Sequence, residues 1–253
     1  MPLSPPSSRD SPVMSNKACL ALLFDGPMQS WGFASRFTRR TTALHPTKSG
    51  VVGLLAAALG YDKYAADEAT QIAGLAGLKC TTITIPKTRD GRELLMQRLS
   101  DYHTIGGGYD KDTDRDKKPR AASGAPLETV LSERHYLLDA RFGVLLESEG
   151  EWLAEIAAAL RNPTWGLWLG RKCCIPASPL LIGVGNDKSS AWRMLAGAAR
   201  LGADVTIEQY HHVVEGEDAE GLDAEWLSDV PVAFGAPIGK RHAVRRIRQV
   251  PRN

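Results

Sequence analysis

The residues of this chain with the clearest chemistry lie in two short stretches far apart in sequence. The first is Thr47-Lys48-Ser49-Gly50, which opens a strongly apolar, Ala-rich run at 51–59 stopped by Gly60. That pattern reads as a buried helix. A helix start exposes backbone N–H groups with no partner inside the helix and carries the positive end of the helix dipole. Thr47 or Ser49 can cap it, Lys48 adds a full charge, and Gly50 lets a ligand approach the backbone closely. The combination suits an anion, most simply a phosphate. Between Gly26 and Gly60 stand four Lys or Arg, Arg36 among them, and no Asp or Glu. An ordinary capped helix behind a solvated basic loop fits the same residues. The second stretch is Gly170-Arg171-Lys172. A glycine followed by two cations can aim N–H groups and charge at a phosphate backbone, or can be a tight turn with exposed bases. Neither stretch is a nucleotide P-loop, because G-x-x-x-x-G-K-[ST] requires glycines where Thr42 and Thr47 stand.

A third group is aromatic. Tyr102 and His103 precede, and Arg134 and Tyr136 follow, a segment at 106–126 that holds three consecutive glycines and a run of four acids and five bases. Such a segment buries little. Its flanks pair naturally as a long projecting hairpin, with the four residues gathered at the stem. Aromatic and Arg side chains on a ribbon suit stacking on unpaired bases, and two tyrosines packing across the hairpin is the plainer alternative. Metal-independent RNA cleavage needs a base for the 2′-hydroxyl and a cation for the scissile phosphate. His45, Tyr102, His103 and Lys48 are the available parts, and nothing in their spacing makes them converge, so no catalytic set is expected. The four cysteines include one adjacent pair, Cys173-Cys174, but no C-x-x-C and no His at metal spacing. The expectation is free thiols in a reducing cytoplasm, with no metal site and no cofactor.

The elements that would position these residues can be read in order. Residues 17–24 form a strand buried on both sides, since its apolar residues run together. Helices are expected at 47–59, 67–75, 151–160 and 190–201, the third with Trp152, Ile156 and Leu160 on one face. Strands are expected at 80–85, 92–99, 141–146 and 204–209, with Asp90-Gly91 as a hairpin turn between the first two. Residues 242–250 read as a final edge strand with arginines on one face. The acidic stretch 215–229 reads as a solvated loop or helix.

At 253 residues the chain can bury a sizeable core. Its longest apolar run is far short of the ~20 residues a membrane span needs, so no membrane partner is expected. Residues 1–16 are Ser- and Pro-rich and read as a floppy extension, with Met14 a candidate start. Net charge is only +2, but it is segregated: nine acids and no Lys or Arg at 201–239, then six Lys or Arg and no acid at 240–252. That distribution presents a basic face to a polyanion and an acidic face elsewhere.

In chain order, a strand, the loop Gly26-Pro27-Met28-Gln29-Ser30-Trp31-Gly32, the helix opening Pro46-Thr47-Lys48-Ser49-Gly50-Val51-Val52-Gly53, Asp101-Tyr102-His103-Thr104 and Gly170-Arg171-Lys172-Cys173-Cys174 resemble the CasD subunits of type I-E CRISPR Cascade, in the RAMP superfamily. The similarity covers about residues 17–185. It implies an α+β chain with a ferredoxin-like (RRM-type) core at 17–100 and 137–200, a protruding β-hairpin thumb at 101–136 and a C-terminal β-rich portion at 201–253. It implies a non-catalytic subunit that holds the 5′ handle of a crRNA and caps the backbone filament, next to a backbone subunit and a large subunit, meeting target DNA only through the complex. A metal-independent endoribonuclease processing crRNA precursors is the alternative. By this resemblance Thr47, Lys48, Ser49, Gly170, Arg171 and Lys172 hold handle phosphates, and Gln29 and Trp31 shape or line the same groove. The 1–16 extension and the Cys173-Cys174 pair depart from the family pattern.

Overall fold

Positions 19–24 are all apolar, which a strand tolerates only when both of its faces are covered. In the computed structural model, which describes residues 17–32, 35, 38–105, 129–221, 223–235 and 239–252, this run is the middle of strand β1 (Lys17–Asp25). The expected extension at 1–16, the 106–126 segment and Arg36 lie outside the described residues. Four two-residue strands follow, β2 (Met28–Gln29), β3 (Trp31–Gly32), β4 (Arg39–Arg40) and β5 (Thr42–Ala43), then helices α1 (Lys48–Leu59) and α2 (Glu68–Ala76). Next come β6 (Lys79–Thr84), β7 (Lys87–Arg89), β8 (Arg92–Leu94), β9 (Gln97–Ile105), β10 (Val130–Leu138), β11 (Arg141–Glu149) and α3 (Gly150–Arg161). The last elements are β12 (Leu181–Gly185), α4 (Lys188–Ala198), β13 (His212–Glu215), β14 (Ala224–Ala233) and β15 (Arg241–Val250).

The fold is α+β with mainly antiparallel sheets. A seven-stranded sheet runs β12-β1-β11-β6-β13-β15-β14, antiparallel at every step. Because side chains alternate along a strand, β1 feeds two cores. Leu20, Leu22 and Phe24 join Val51, Leu55, Ile72 and Ile156 from α1, α2 and α3. Cys19, Ala21 and Leu23 join Trp192 and Leu195 from α4. A second sheet is built on β10, which pairs with β9, β2 and, in parallel, β4.

Local chemistry explains both the agreements and the departures. Thr47 caps α1 by accepting from the Gly50 N–H, and Gly60 ends it at φ 77°. Asp90 and Gly91, at φ 52° and 73°, make the expected tight turn, but it joins β7 to β8. The 80–85 strand cannot take part, because β11 and β13 occupy its two edges. Helix α4 starts earlier than expected, since Asp187 and Ser190 form a reciprocal capping box. The strand expected at 204–209 is instead a 3₁₀ turn, Ile207–Gln209, held by the Thr206 and Gln209 side chains. Strand β15 is no edge: it lies between β13 and β14.

The largest departure concerns the acidic stretch at 215–229, which is not simply a solvated surface. Glu215 and Asp229 are buried, and with Lys48 and Arg245 they form a closed, neutral cluster. Lys48 Nζ donates to Glu215 Oε1 at 2.6 Å, and Arg245 Nη1 to Glu215 Oε2 at 2.6 Å. Arg245 Nε and Nη2 reach the two oxygens of Asp229 at 2.7 and 2.9 Å. Asp229 Oδ2 also accepts the Lys48 N–H at 2.7 Å, and Glu215 Oε1 the Cys80 N–H at 2.6 Å. Burial opposes the Arg245 charge, yet the bonds and charges of its carboxylate partners outweigh it and raise its pKa above the ordinary arginine value. The cluster ties the C-terminal strands to the first turn of α1.

Removing one member strands the others. Arg245→Met leaves two carboxylates facing Lys48 alone, and a loss of about 3–5 kcal/mol in urea unfolding is expected. Arg252→Ala, which breaks the exposed pair to Glu93, is expected to leave the unfolding midpoint in place.

Candidate nucleic-acid interface

The first turn of α1 and the glycine turn at 170 meet. They line one cleft of about 340 Å³, whose walls include Thr47, Ser49, Gly50, Gly170, Arg171 and Lys240. No acidic side chain among the described residues lines it. The juxtaposition depends on close backbone approach. Ser30 N–H donates to the Leu169 carbonyl at 3.0 Å, and Gly170, at φ 96°, lies so near that a Cβ would fall 1.8 Å from the Ser30 oxygen. On the other wall a Cβ on Gly50 would meet the Trp31 ring at 2.8 Å. Both glycines therefore serve packing inside the protein. The turn itself is closed by Leu169 N–H to the Cys174 carbonyl and Cys174 N–H to the Arg171 carbonyl, each 2.8 Å.

The expected residues take different positions in this frame. Thr47 and Ser49 lie at the cleft, their hydroxyls 3.4 Å apart. Lys48 is the correction. Its ammonium is buried against Glu215, and its N–H is taken by Asp229, so the helix tip already holds an anion supplied from within. Its charge is not presented to a ligand, because desolvating an ammonium requires a carboxylate beside it. Arg171 faces the cleft while its guanidinium donates to the Arg40 carbonyl at 2.9 Å and the His135 carbonyl at 3.3 Å, and lies 4.8 Å from the Tyr136 ring centroid. Lys172 is exposed beside it. Gln29 shapes the groove from beneath: fully buried, it donates to the Phe24 and Ala140 carbonyls and accepts from the Trp31 indole. Trp31 is a buried wall stacked on Phe24.

Strands β9 and β10 pair as expected, with Tyr102 opposite Glu133, Asp101 opposite Arg134 and Leu99 opposite Tyr136. The four stem residues do not form one cluster. The period of two puts His103, Arg134 and Tyr136 on one face and Tyr102 on the other. Tyr102 is 71% exposed, whereas Tyr136 is buried under Arg171. The two tyrosines do not pack on each other across the hairpin.

The four candidate nuclease residues are placed differently: Lys48 is ion-paired with Glu215 and Tyr102 is exposed on the hairpin. His45 is buried, its Nδ1 3.2 Å from the Pro46 carbonyl oxygen, and burial lowers its pKa. His103 Nδ1 lies 3.4 Å from Asp101. None of the four lines the cleft. Lys240, Trp168 and Phe234 were not singled out from the sequence; the only signals were the basic run beginning at Lys240 and the tryptophans before Gly170.

Gly170→Ala forces a side chain into the Ser30 backbone, and a fall in thermal midpoint of several degrees is expected, with the cleft opened. His45 titrates lower when folded, so the unfolded chain binds more protons between that depressed value and about 6.5. Stability is expected to be full above about pH 6.5 and to decline as pH falls below it. A His45→Asn variant should show a flatter midpoint against pH in that window.

Comparison with known proteins follows the same lines. Residues 19–248 match the family described as CRISPR-associated protein (Cas_Cas5), so the likeness continues through β13, β14 and β15, beyond the 17–185 expected from sequence. The chain is 30% identical over 213 residues to the CRISPR system Cascade subunit CasD of Escherichia coli (strain K12), covering 78% of this chain and 85% of that one. Among solved structures, a chain of a CRISPR RNA-guided surveillance complex matches with TM-score 0.65 and 29% identity over 92% of this chain and 90% of that one. A crystal structure of a Cas protein matches with TM-score 0.58 and 29% identity over 92% and 95%. The matched span holds the glycine turn, the capped helix and the C-terminal strands, and the chain belongs to the CRISPR-associated protein (Cas_Cas5) family.

Proposed function

We propose that this chain is a non-catalytic RNA-binding subunit of a type I-E Cascade surveillance complex, holding the 5′ handle of the crRNA. The observation that carries the reading is the cleft: two stretches more than a hundred residues apart in sequence line one groove with Arg171 and Lys240 and, among the described residues, no acid. In this reading Thr47, Ser49 and the Gly170 turn shape the phosphate track, while Arg171, Lys172 and Lys240 supply charge. Lys48 acts indirectly, by fixing the helix tip. Arg36 and the hairpin residues Tyr102, His103 and Arg134 remain assigned to RNA contact, with Tyr136 now a support for Arg171.

The strand order β12-β1-β11-β6, with α1 between β1 and β6 and α3 between β11 and β12, supports reading the core as ferredoxin-like. The β9–β10 hairpin is then the thumb, set against a neighbouring backbone subunit, with the large subunit nearby and target DNA reached through the complex. No helix among the described residues is long and apolar enough to cross a membrane, and a cytoplasmic location is proposed with the function. The burial of His45 and Lys48, with none of His45, Lys48, Tyr102 and His103 lining the cleft, supports binding over cleavage.

Filter binding of a handle-containing RNA across a salt series tests the reading. Each phosphate contact on a single strand adds about 0.7 to the slope of log affinity against log salt. Lys240→Ala should reduce that slope by about 0.7, and Arg171→Ala with Lys240→Ala by about 1.4. Lys48→Met should lower stability and leave the slope of the folded protein unchanged. Wild-type slopes in both cationic variants would refute the cleft as the binding site.

A further inference from the structure

The trough that begins at the tip of α1 does not stop at the cleft. Gly53, Ala57 and Phe234 line both the cleft and a second groove of about 460 Å³ walled by Tyr61, Tyr64 and Trp165. The two spaces share a wall and differ in chemistry: cationic and hydroxylic at one end, aromatic at the other. The aromatic walls are fixed to α1 and its surroundings. Tyr61 N–H donates to the Ala56 carbonyl at 2.9 Å and Trp165 N–H to the Ala57 carbonyl at 3.1 Å. Phe234 N–H donates to the buried Glu68 carboxylate at 2.7 Å, and its ring lies 3.6 Å from where a Cβ on Gly53 would stand. Yet Tyr64 is 69% and Trp165 47% exposed. Lys63 holds its ammonium 4.7 Å from the Tyr64 ring centroid. The one carboxylate on the groove among the described residues, Asp62, accepts from the Tyr64 N–H within its own loop.

We infer that this groove is a stacking platform for an unpaired nucleobase of the strand whose phosphates occupy the cleft, an inference that rests on the RNA-binding reading above. Continuity with the cleft selects the occupant. A strand laid along α1 past Arg171 and Lys240 brings its next base to Trp165 and Tyr64. Trp165, whose backbone is tied to α1, and the exposed Tyr64 offer π faces that accept any base. Lys63 places a cation beside the same strand.

The test uses the full chain, a fluorescently labelled short single-stranded RNA, and an oligonucleotide of the same length with abasic positions. Trp165→Leu and Tyr64→Leu are each expected to weaken RNA binding about tenfold. The salt slope should stay unchanged, since no phosphate contact is lost. The abasic oligonucleotide is expected to bind more weakly, and equally to wild type and both variants. Wild-type affinity in both variants, while Arg171→Ala with Lys240→Ala loses affinity and slope, would overturn the platform and leave the cleft standing. Abasic binding as tight as that of intact RNA overturns it as well. Unchanged RNA affinity with impaired assembly of the complex assigns the groove to a protein partner instead. If the unsubstituted chain binds no RNA, the cleft reading fails and takes this inference with it.

Discussion

The arrangement depends on one buried, neutral cluster of four charges. Lys48, Glu215, Arg245 and Asp229 come from α1, β13, β15 and β14, and each carboxylate bridges both cations or a cation and a backbone N–H. Such a cluster adds little net stability over an apolar equivalent, because desolvation offsets most of the attraction. Its consequence is geometric. It fixes the C-terminal strands on the helix tip, and through them it carries Phe234 and Lys240 to the cleft. It also fills the site that a helix start offers to anions, so charge for an outside phosphate must come from elsewhere.

The cations that line the cleft among the described residues are Arg171 and Lys240. Arg171 is held by two carbonyls and a tyrosine ring, which limits the entropy lost when a ligand arrives. The glycines that suggest backbone access to a ligand, Gly50 and Gly170, are needed because Trp31 and Ser30 lie against them. Close approach is real here, but between parts of the same chain. Helix α1 is the common support: its first turn forms the cleft, and its later turns anchor the aromatic groove.

The hairpin shows how register sorts candidates that spacing cannot. Tyr102 and Tyr136 flank the same excursion, but pairing places them on opposite faces. One becomes an exposed ring and the other a buried floor for Arg171.

By itself the sequence determined what short-range chemistry controls. The double-sided burial of β1 follows from its uninterrupted apolar run, the limits of α1 from Thr47 and Gly60, and the tight turn at Asp90-Gly91 from tolerance of positive φ. The Gly26–Gly32 and Pro46–Gly53 stretches also carried the family likeness. Tertiary structure alone decided the fate of charge. Lys48, Glu215, Asp229 and Arg245 look like surface residues in one dimension, because a buried ion is recognised by a partner some 16 to 181 positions away. The same holds for Lys240, Phe234 and Trp165, whose place beside α1 is set by strand pairing and backbone hydrogen bonds that no local pattern encodes.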